Sequence, residues 1–389
     1  MAHKLDAFKD SRVLFDDTTL RDGEQTAGVV FSMPEKVRIA QLLDELGVQQ
    51  IEVGIPTMGE VEKETIKRIV KLNLKASLLA WNRAIVKDVE QSLELGVDAV
   101  TLSISVSDIQ IKNKLQKDRD WVLKNVAESV EFAKKHDLYV NVTAEDASRA
   151  DFEFLVKFAQ VVKDHGGDRL RYADTLGFLN PVKTYNIIRN LAERVPGLDI
   201  EMHMHNDLGM AVANTVAGIL AGARWANVTV GGLGERAGNA ALEEVAMALK
   251  ISEGIDHGLD SRKFKEVVEY VWKAAGRFVV PWKAIVGDNV FAHESGIHAD
   301  GVLKDPKNYE LFSPEEVGLQ RKIVIGKHSG TAAVIAVLRK FGVELDKEEA
   351  AEILQRVRKY SMEVKRPLME QELYFLYQDY KSGLNVLVG

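Results

Sequence analysis

Two histidines stand at i and i+2 in the stretch Ile200-Glu201-Met202-His203-Met204-His205-Asn206-Asp207. Strand side chains alternate between faces, so Glu201, His203 and His205 would share one side and Met202 and Met204 the other. Two imidazoles and a carboxylate on one face suit a divalent cation, although core histidines with satisfied hydrogen bonds fit the same spacing. The 389 residues include no cysteine. This excludes disulfides, thiolate zinc sites and a cysteine nucleophile. Any metal is then held by His, Asp, Glu, Asn and water, and acyl transfer runs without an enzyme thioester.

These residues need a scaffold, and the hydrophobic pattern supplies one. Strand candidates begin near Val13, Gln50, Ala76, Ala99, Tyr139, Leu170, Asp199 and Ala226, separated by helical patterns. Glu35 to Gly47 is one such helix, opened by a capping box at Ser32 and stopped by Gly47. Asp151 to Gly166 is another, with Leu155, Phe158, Ala159 and Val162 on one face. Eight strand–helix units over about 245 residues predict a (β/α)8 TIM barrel. An open doubly wound sheet would carry a glycine fingerprint after its first strand, where this chain has Asp17-Thr18-Thr19-Leu20-Arg21-Asp22-Gly23-Glu24-Gln25. The expected organisation is a barrel over residues 1–258 and a mainly helical lid and dimerisation region over 259–389. Within the latter, Ser261–Ala275, Thr331–Phe341 and Lys347–Tyr360 read as helices and 277–327 as irregular.

Catalytic groups of such barrels sit at the C-terminal ends of the strands. Arg21 and Asp22, Glu52, Glu145, Thr175, the two histidines and the loop Gly231–Asn239 all fall there, a concentration that core packing does not require. Asp22 gives His203 and His205 a third ligand, with Asn239 as a weaker fourth, leaving positions open for substrate oxygens. Arg21 beside them would stabilise negative charge developing on a carbonyl oxygen.

The motifs DTTLRDGEQ, HMHND, GERAGNAALEE and HESGIHADGVLKDPKNYE, in that order, resemble the acyl-CoA-condensing DRE-TIM metallolyases, which include homocitrate synthase, isopropylmalate synthase and the Re-type citrate synthase. The stretches Ser105–Leu123 and Thr143–Leu155 look most like homocitrate synthases of the nitrogen-fixation type. Only about 60 residues follow Gly326–Gly330, so the regulatory domain usual in isopropylmalate synthases is not expected here. The resemblance implies a metal-dependent condensation of acetyl-CoA with 2-oxoglutarate, giving homocitrate and CoA for nitrogenase cofactor synthesis. Oxaloacetate or 2-oxoisovalerate is the alternative acceptor. It implies Asp22, His203, His205 and the more distant Asn239 as ligands of Zn²⁺ or Mn²⁺, with Mg²⁺ or Co²⁺ as other options. It implies Arg21, Glu145, His298 and Tyr309 as catalytic groups, with His298 and Tyr309 reaching in from the partner of a homodimer. Gln25, Glu52, Thr175 and Glu201 match positions that line or support the 2-oxo acid. Where lysine-pathway homocitrate synthases carry an arginine, this chain has Asn141. Arg83 and Arg171 are then the candidates for a distal substrate carboxylate, and both also fit rim salt bridges.

A net charge of −7 leaves no basic footprint for nucleic acid or an anionic membrane. No apolar run approaches the roughly 20 residues that span a bilayer, and Met1–Arg12 has no signal-peptide core, so a cytoplasmic location is expected. For CoA phosphates the candidates are Lys304, Lys307, Arg321, Lys322 and Lys327, or the backbone of Gly231–Gly238; a solvated charged face explains the first equally well. Three other readings are weighed. A 3-hydroxy-3-methylglutaryl-CoA lyase needs a loop cysteine. A biotin-dependent carboxyltransferase needs a metal-binding lysine near the sixth strand, where Tyr172-Ala173-Asp174 stand. A metal-stabilised scaffold needs none of the four catalytic groups together.

Overall fold

Tyr139-Val140-Asn141-Val142-Thr143-Ala144-Glu145 alternates polar with aliphatic residues, and such a strand presents opposite chemistries to its two faces. The computed structural model, which describes residues 3–383, closes eight such strands into the expected parallel barrel. They are β1 (Leu14–Asp17), β2 (Gln50–Gly54), β3 (Ser77–Arg83), β4 (Ala99–Ser105), β5 (Tyr139–Glu145), β6 (Arg169–Asp174), β7 (Asp199–Met204) and β8 (Trp225–Val228). They pair in chain order, and β8 returns to β1.

The aliphatic faces point outward and are sealed by the helices: Val140, Val142, Leu170, Met202 and Met204 are all buried. Met202 packs so closely on the helix Ala211–Leu220 that a Cβ at Gly218 would lie 2.5 Å from its sulfur. The polar faces fill the barrel interior. Ser103, Thr143, Arg171, Glu201 and Trp225 stand side by side across β4 to β8. Many barrels stack branched aliphatic side chains in this space; here it holds ion pairs.

Local signals set the helix ends. Met33–Leu46 starts on the Ser32/Glu35 capping box and stops at Gly47, whose φ of 95° suits glycine. Phe152–Asp164 is capped by Asp151, which accepts from the Phe154 amide. Helix Phe264–Ala274 packs against Met33–Leu46, and the chain divides into compact units after Val279. That division falls beyond residue 258, because Val267, Val268 and Val271 are buried in the first unit.

The second unit begins at Val280. Its core gathers Val334, Val337, Ile353, Val357, Leu373 and Leu376 from helices Thr331–Arg339, Lys347–Val364 and Glu370–Ser382. The stretch 277–327 is less irregular than its composition suggests. It contains the helix Gly296–Lys304 and a parallel pair, β9 (Ala292–His293) with β10 (Lys322–Ile323). The helix is short and interrupted by Gly301 and the strands are two residues each, so neither produces a long periodic signal. Among the described residues no helix is long and apolar enough to cross a membrane.

One outward residue on β1 makes a stability prediction. Asp17 is fully buried, its Oδ2 has no hydrogen-bond partner, and burial pushes its carboxyl up to about 7. Between about pH 4 and pH 7 the folded chain keeps a proton that the unfolded chain has released, so stability falls as pH rises through this window. Asp17→Asn is expected to remove that slope and to be more stable than wild type at pH 8 by about 2–4 kcal/mol. Denaturant titrations at pH 5 and pH 8 check it; equal pH slopes for both proteins would contradict it.

Candidate active site

At the C-terminal end of the barrel, β7 and the β1 loop bring three groups together. Asp22 Oδ2 lies 3.3 Å from His203 Nε2 and 3.8 Å from His205 Nε2, and the two Nε2 atoms are 3.2 Å apart. All three side chains are buried, and they form a potential metal-binding group among the described residues. His203 Nδ1 donates to Asn227 Oδ1 at 2.6 Å, which fixes the tautomer and leaves Nε2 with its lone pair. Asn227 sits level with His203 on the neighbouring β8. Burial pushes His203 down to about 4 and lowers His205 as well. Both are therefore neutral near pH 7, the form that ligates. Burial pushes the Asp22 carboxyl up, but adjacent positive charge outweighs it and holds the group below its ordinary range. With both histidines neutral, the cation responsible is Arg21, whose Nη1 lies 3.6 Å away.

The donor set fits a divalent cation. Two lone pairs and a carboxylate oxygen converge, and Asp22 Oδ2 has no hydrogen bond although it is buried. Asn239 reaches the same rim through a β-bridge with His205; its Nδ2 donates to the Leu233 carbonyl, and its buried Oδ1 has no protein partner.

Beneath this group lies a sealed ionic network. Glu52 Oε2 accepts from Arg21 Nε (2.6 Å) and Thr18 Oγ1 (2.6 Å), while Oε1 pairs with Arg171. Glu201 Oε2 accepts from Asn141 Nδ2 (2.7 Å) and Arg171 Nε (3.0 Å) and also faces Arg169. Burial opposes ionisation of Glu52 and Glu201, yet the arginines hold both well below the usual carboxylate range. Glu52 and Glu201 were expected to line the 2-oxo acid or to support the groups that do; neither lines the cavity. Both are 0% exposed, and their oxygens are committed to these partners. They instead orient Arg21 and Arg171.

Above the network opens a cavity of about 370 Å³. Arg21, Asp22, Gln25, Glu145, Thr175, His203 and His205 line it, with Trp81, Ser103, Thr143 and Arg171 deeper in. Thr175 Oγ1 also accepts from the Asp146 amide, supporting that residue's left-handed backbone at φ 60°. Glu145 is held by Ser105 (3.1 Å) and by Lys114 (2.5 Å). Lys114 stands on a π-helical turn, Ile111–Leu115, a distortion frequent at functional sites. Sequence reading missed Asn227, Lys114 and Ser105. The first was findable as the inward β8 position beside β7; the other two lie in the stretch valued only for its resemblance. A larger cavity, about 720 Å³, opens at the opposite ends of the strands between Arg12, Gln49 and His257, away from the rim where catalytic groups gather.

In the second unit, His298 stands on helix Gly296–Lys304 and stacks on Tyr309, ring centroids 4.3 Å apart. Gly301 permits this, since a Cβ there would lie 2.4 Å from the Tyr309 ring. Both rings are exposed. Two members of the proposed basic cluster are already engaged: Lys304 pairs with Asp300, and Arg321 grips Glu310 through two nitrogens. The glycine loop is engaged too. The amides of Gly231, Gly232, Gly234 and Gly238 donate to Glu243, Thr229, Thr26 and Glu235, so they do not form a free phosphate cradle.

Comparison with known proteins agrees with this architecture. Residues 12–271 match the HMGL-like family model, and residues 285–365 match the homocitrate synthase post-HMGL domain-like model. The chain is 60% identical over 371 residues to 2-isopropylmalate synthase 2 of Caldanaerobacter subterraneus subsp. tengcongensis, covering 95% of this chain and 96% of the relative. It is 49% identical over 369 residues to homocitrate synthase 1 of Nostoc sp., covering 95% and 98%. The fold is shared with the Bacillus subtilis HMG-CoA lyase structure at a TM-score of 0.62 and 21% identity, over 68% of this chain and 94% of the lyase. With both family models matched in order along one chain, the protein belongs to the HMGL-like family of the DRE-TIM superfamily, in the branch of the homocitrate and isopropylmalate synthases.

Proposed function

We propose that the protein is a cytoplasmic, metal-dependent homocitrate synthase that joins acetyl-CoA to 2-oxoglutarate and releases homocitrate and CoA, the product serving nitrogenase cofactor synthesis. The observation that carries the reading is the set Arg21, Asp22, Glu145, His203 and His205 around one cavity. A Zn²⁺ or Mn²⁺ ion held by Asp22, His203 and His205, with Asn239 nearby, would supply Lewis acidity toward the carboxylate and ketone of the 2-oxo acid.

The chain's own residues then divide the work. Arg21, locked by Glu52, directs its free guanidinium nitrogens toward the ketone oxygen and stabilises the charge that forms there. His298 of a partner subunit in a homodimer, assisted by Glu145, takes a methyl proton from acetyl-CoA. The carbanion forms a carbon–carbon bond to C2, and the ketone π electrons move to oxygen, which takes a proton from Tyr309. Water then cleaves the thioester, the C–S bond breaks, and CoA leaves as the thiol. His298→Ala is expected to lower kcat by about 10²–10⁴ with acetyl-CoA and 2-oxoglutarate, read by thiol release. Unchanged turnover would remove His298 from the base role.

A second reading has its own support. The relative at 60% identity is named for 2-isopropylmalate, which implies 2-oxoisovalerate as the acceptor. The same thiol-release assay, run with both 2-oxo acids, separates the two.

A further inference from the structure

Besides Arg21, two guanidinium groups border the cavity, and they differ in burial. Arg83 grips Asp88 through Nε (2.7 Å) and Nη2 (2.9 Å), with its side chain 59% exposed at the rim. Arg171 is at the floor and 1% exposed. Its Nε donates to Glu201 (3.0 Å) and its Nη2 to Asp16 (2.8 Å), while Glu52 pairs with the same Nη2. Its Nη1 donates to nothing. A buried donor without an acceptor is costly, and the other two nitrogens hold this one in a fixed direction.

The strand register shows what surrounds it. Ser103, Thr143 and Arg171 are lateral neighbours on β4, β5 and β6, and all three line the cavity. One rung higher on β6, the inward residue is Ala173, also a lining residue. The small methyl group leaves the wall open above Arg171, between Glu145 and His203 on the flanking strands. Asn141, two residues below Thr143, is committed to Glu201, so it offers no cation of its own. The adjacent strand supplies the guanidinium instead.

We infer that Arg171, flanked by the Thr143 and Ser103 hydroxyls, binds the distal carboxylate of a dicarboxylic 2-oxo acid and thereby sets the acceptor class. The inference rests on the condensation reading for the position of the substrate's other end, at Asp22, His203 and His205. A branched alkyl end in this place would leave Arg171 Nη1 without an acceptor, while Asp16, Glu52 and Glu201 still pair the cation and Thr101 the Thr143 hydroxyl, so such acids are disfavoured through that one nitrogen.

The test compares 2-oxoglutarate with 2-oxopentanoate, five-carbon acids that differ only in the second carboxylate. Thiol release from acetyl-CoA and calorimetric binding are measured on the full metal-loaded chain, for wild type, Arg171→Gln and Arg171→Lys. Wild type is expected to favour 2-oxoglutarate by about 10³-fold in kcat/KM. Arg171→Gln is expected to lower the preference for 2-oxoglutarate over 2-oxopentanoate about 100-fold, chiefly through KM and Kd for 2-oxoglutarate and on top of any loss common to both acids from the uncompensated Glu52 and Glu201; Arg171→Lys recovers part of the preference. A folded Arg171→Gln protein that loses both acids equally would make Arg171 a support of the barrel and overturn the inference. Where Arg171→Gln does not fold, Thr143→Val is read in its place and is expected to raise the KM for 2-oxoglutarate about tenfold; no selective change would likewise overturn it. Absence of thiol release with either acid, with the binding preference intact, would sink the condensation reading and leave the carboxylate subsite standing.

Discussion

Asp22→Ala is expected to yield a folded barrel that no longer holds a divalent ion. The substitution removes one of three groups that meet within 4.8 Å, and the two imidazoles left behind are neutral. A pair of histidines without the carboxylate loses the charge that offsets desolvation of the cation. The fold itself depends little on this carboxylate, since Asp22 Oδ2 has no hydrogen bond and its contact with Arg21 is 3.6 Å. Two readouts should therefore separate. Unfolding of the metal-free variant stays close to wild type, while stabilisation by added Zn²⁺ or Mn²⁺, about 2.7 kcal/mol for a ligand at 100 times its Kd, disappears. Turnover falls to background. Full metal content by elemental analysis would sink the ligand assignment.

Arg21→Gln is expected to lower kcat by about 10²–10³ with metal content unchanged. Arg21 is nearly buried and held by Glu52, so its charge is fixed in place before substrate arrives. That pre-orientation makes the group effective, because no reorganisation accompanies charge development on the ketone oxygen. Removing it also strips Glu52 of one of its two cationic partners; Arg171 remains and keeps that carboxylate compensated. The loss should fall on kcat more than on KM, since the interaction strengthens in the transition state. A variant that keeps wild-type kcat and loses only substrate affinity would reassign Arg21 to ground-state binding.

Much of this site was legible before any coordinates. His203 and His205 were readable as a same-face pair because period-two geometry is local, and Asp22 followed because β1 and β7 both neighbour β8. The strand positions were readable because outward faces carry unbroken aliphatic residues such as Val140, Val142 and Met202. That Glu201 supports the site was readable; which arginine each of Glu52 and Glu201 holds was not. Whether a carboxylate faces substrate or an arginine depends on side-chain length and depth across several strands, which a one-dimensional pattern does not encode. Arg171 shows the same limit. The sequence offers it beside Arg83 on equal terms; only depth tells them apart, since Arg83 is solvated at the rim and Arg171 is buried at the floor with one nitrogen unpaired. The helix Gly296–Lys304 and the pair β9–β10 were hidden because such short elements carry little periodicity.

The most direct test is a thiol-release assay of the metal-loaded protein with acetyl-CoA and, separately, 2-oxoglutarate, oxaloacetate and 2-oxoisovalerate, with each product identified by mass. The expected result is rapid CoA release with 2-oxoglutarate, homocitrate as the product, and loss of activity on chelation. Preferred turnover of 2-oxoisovalerate, or no release with any of the three, would contradict it.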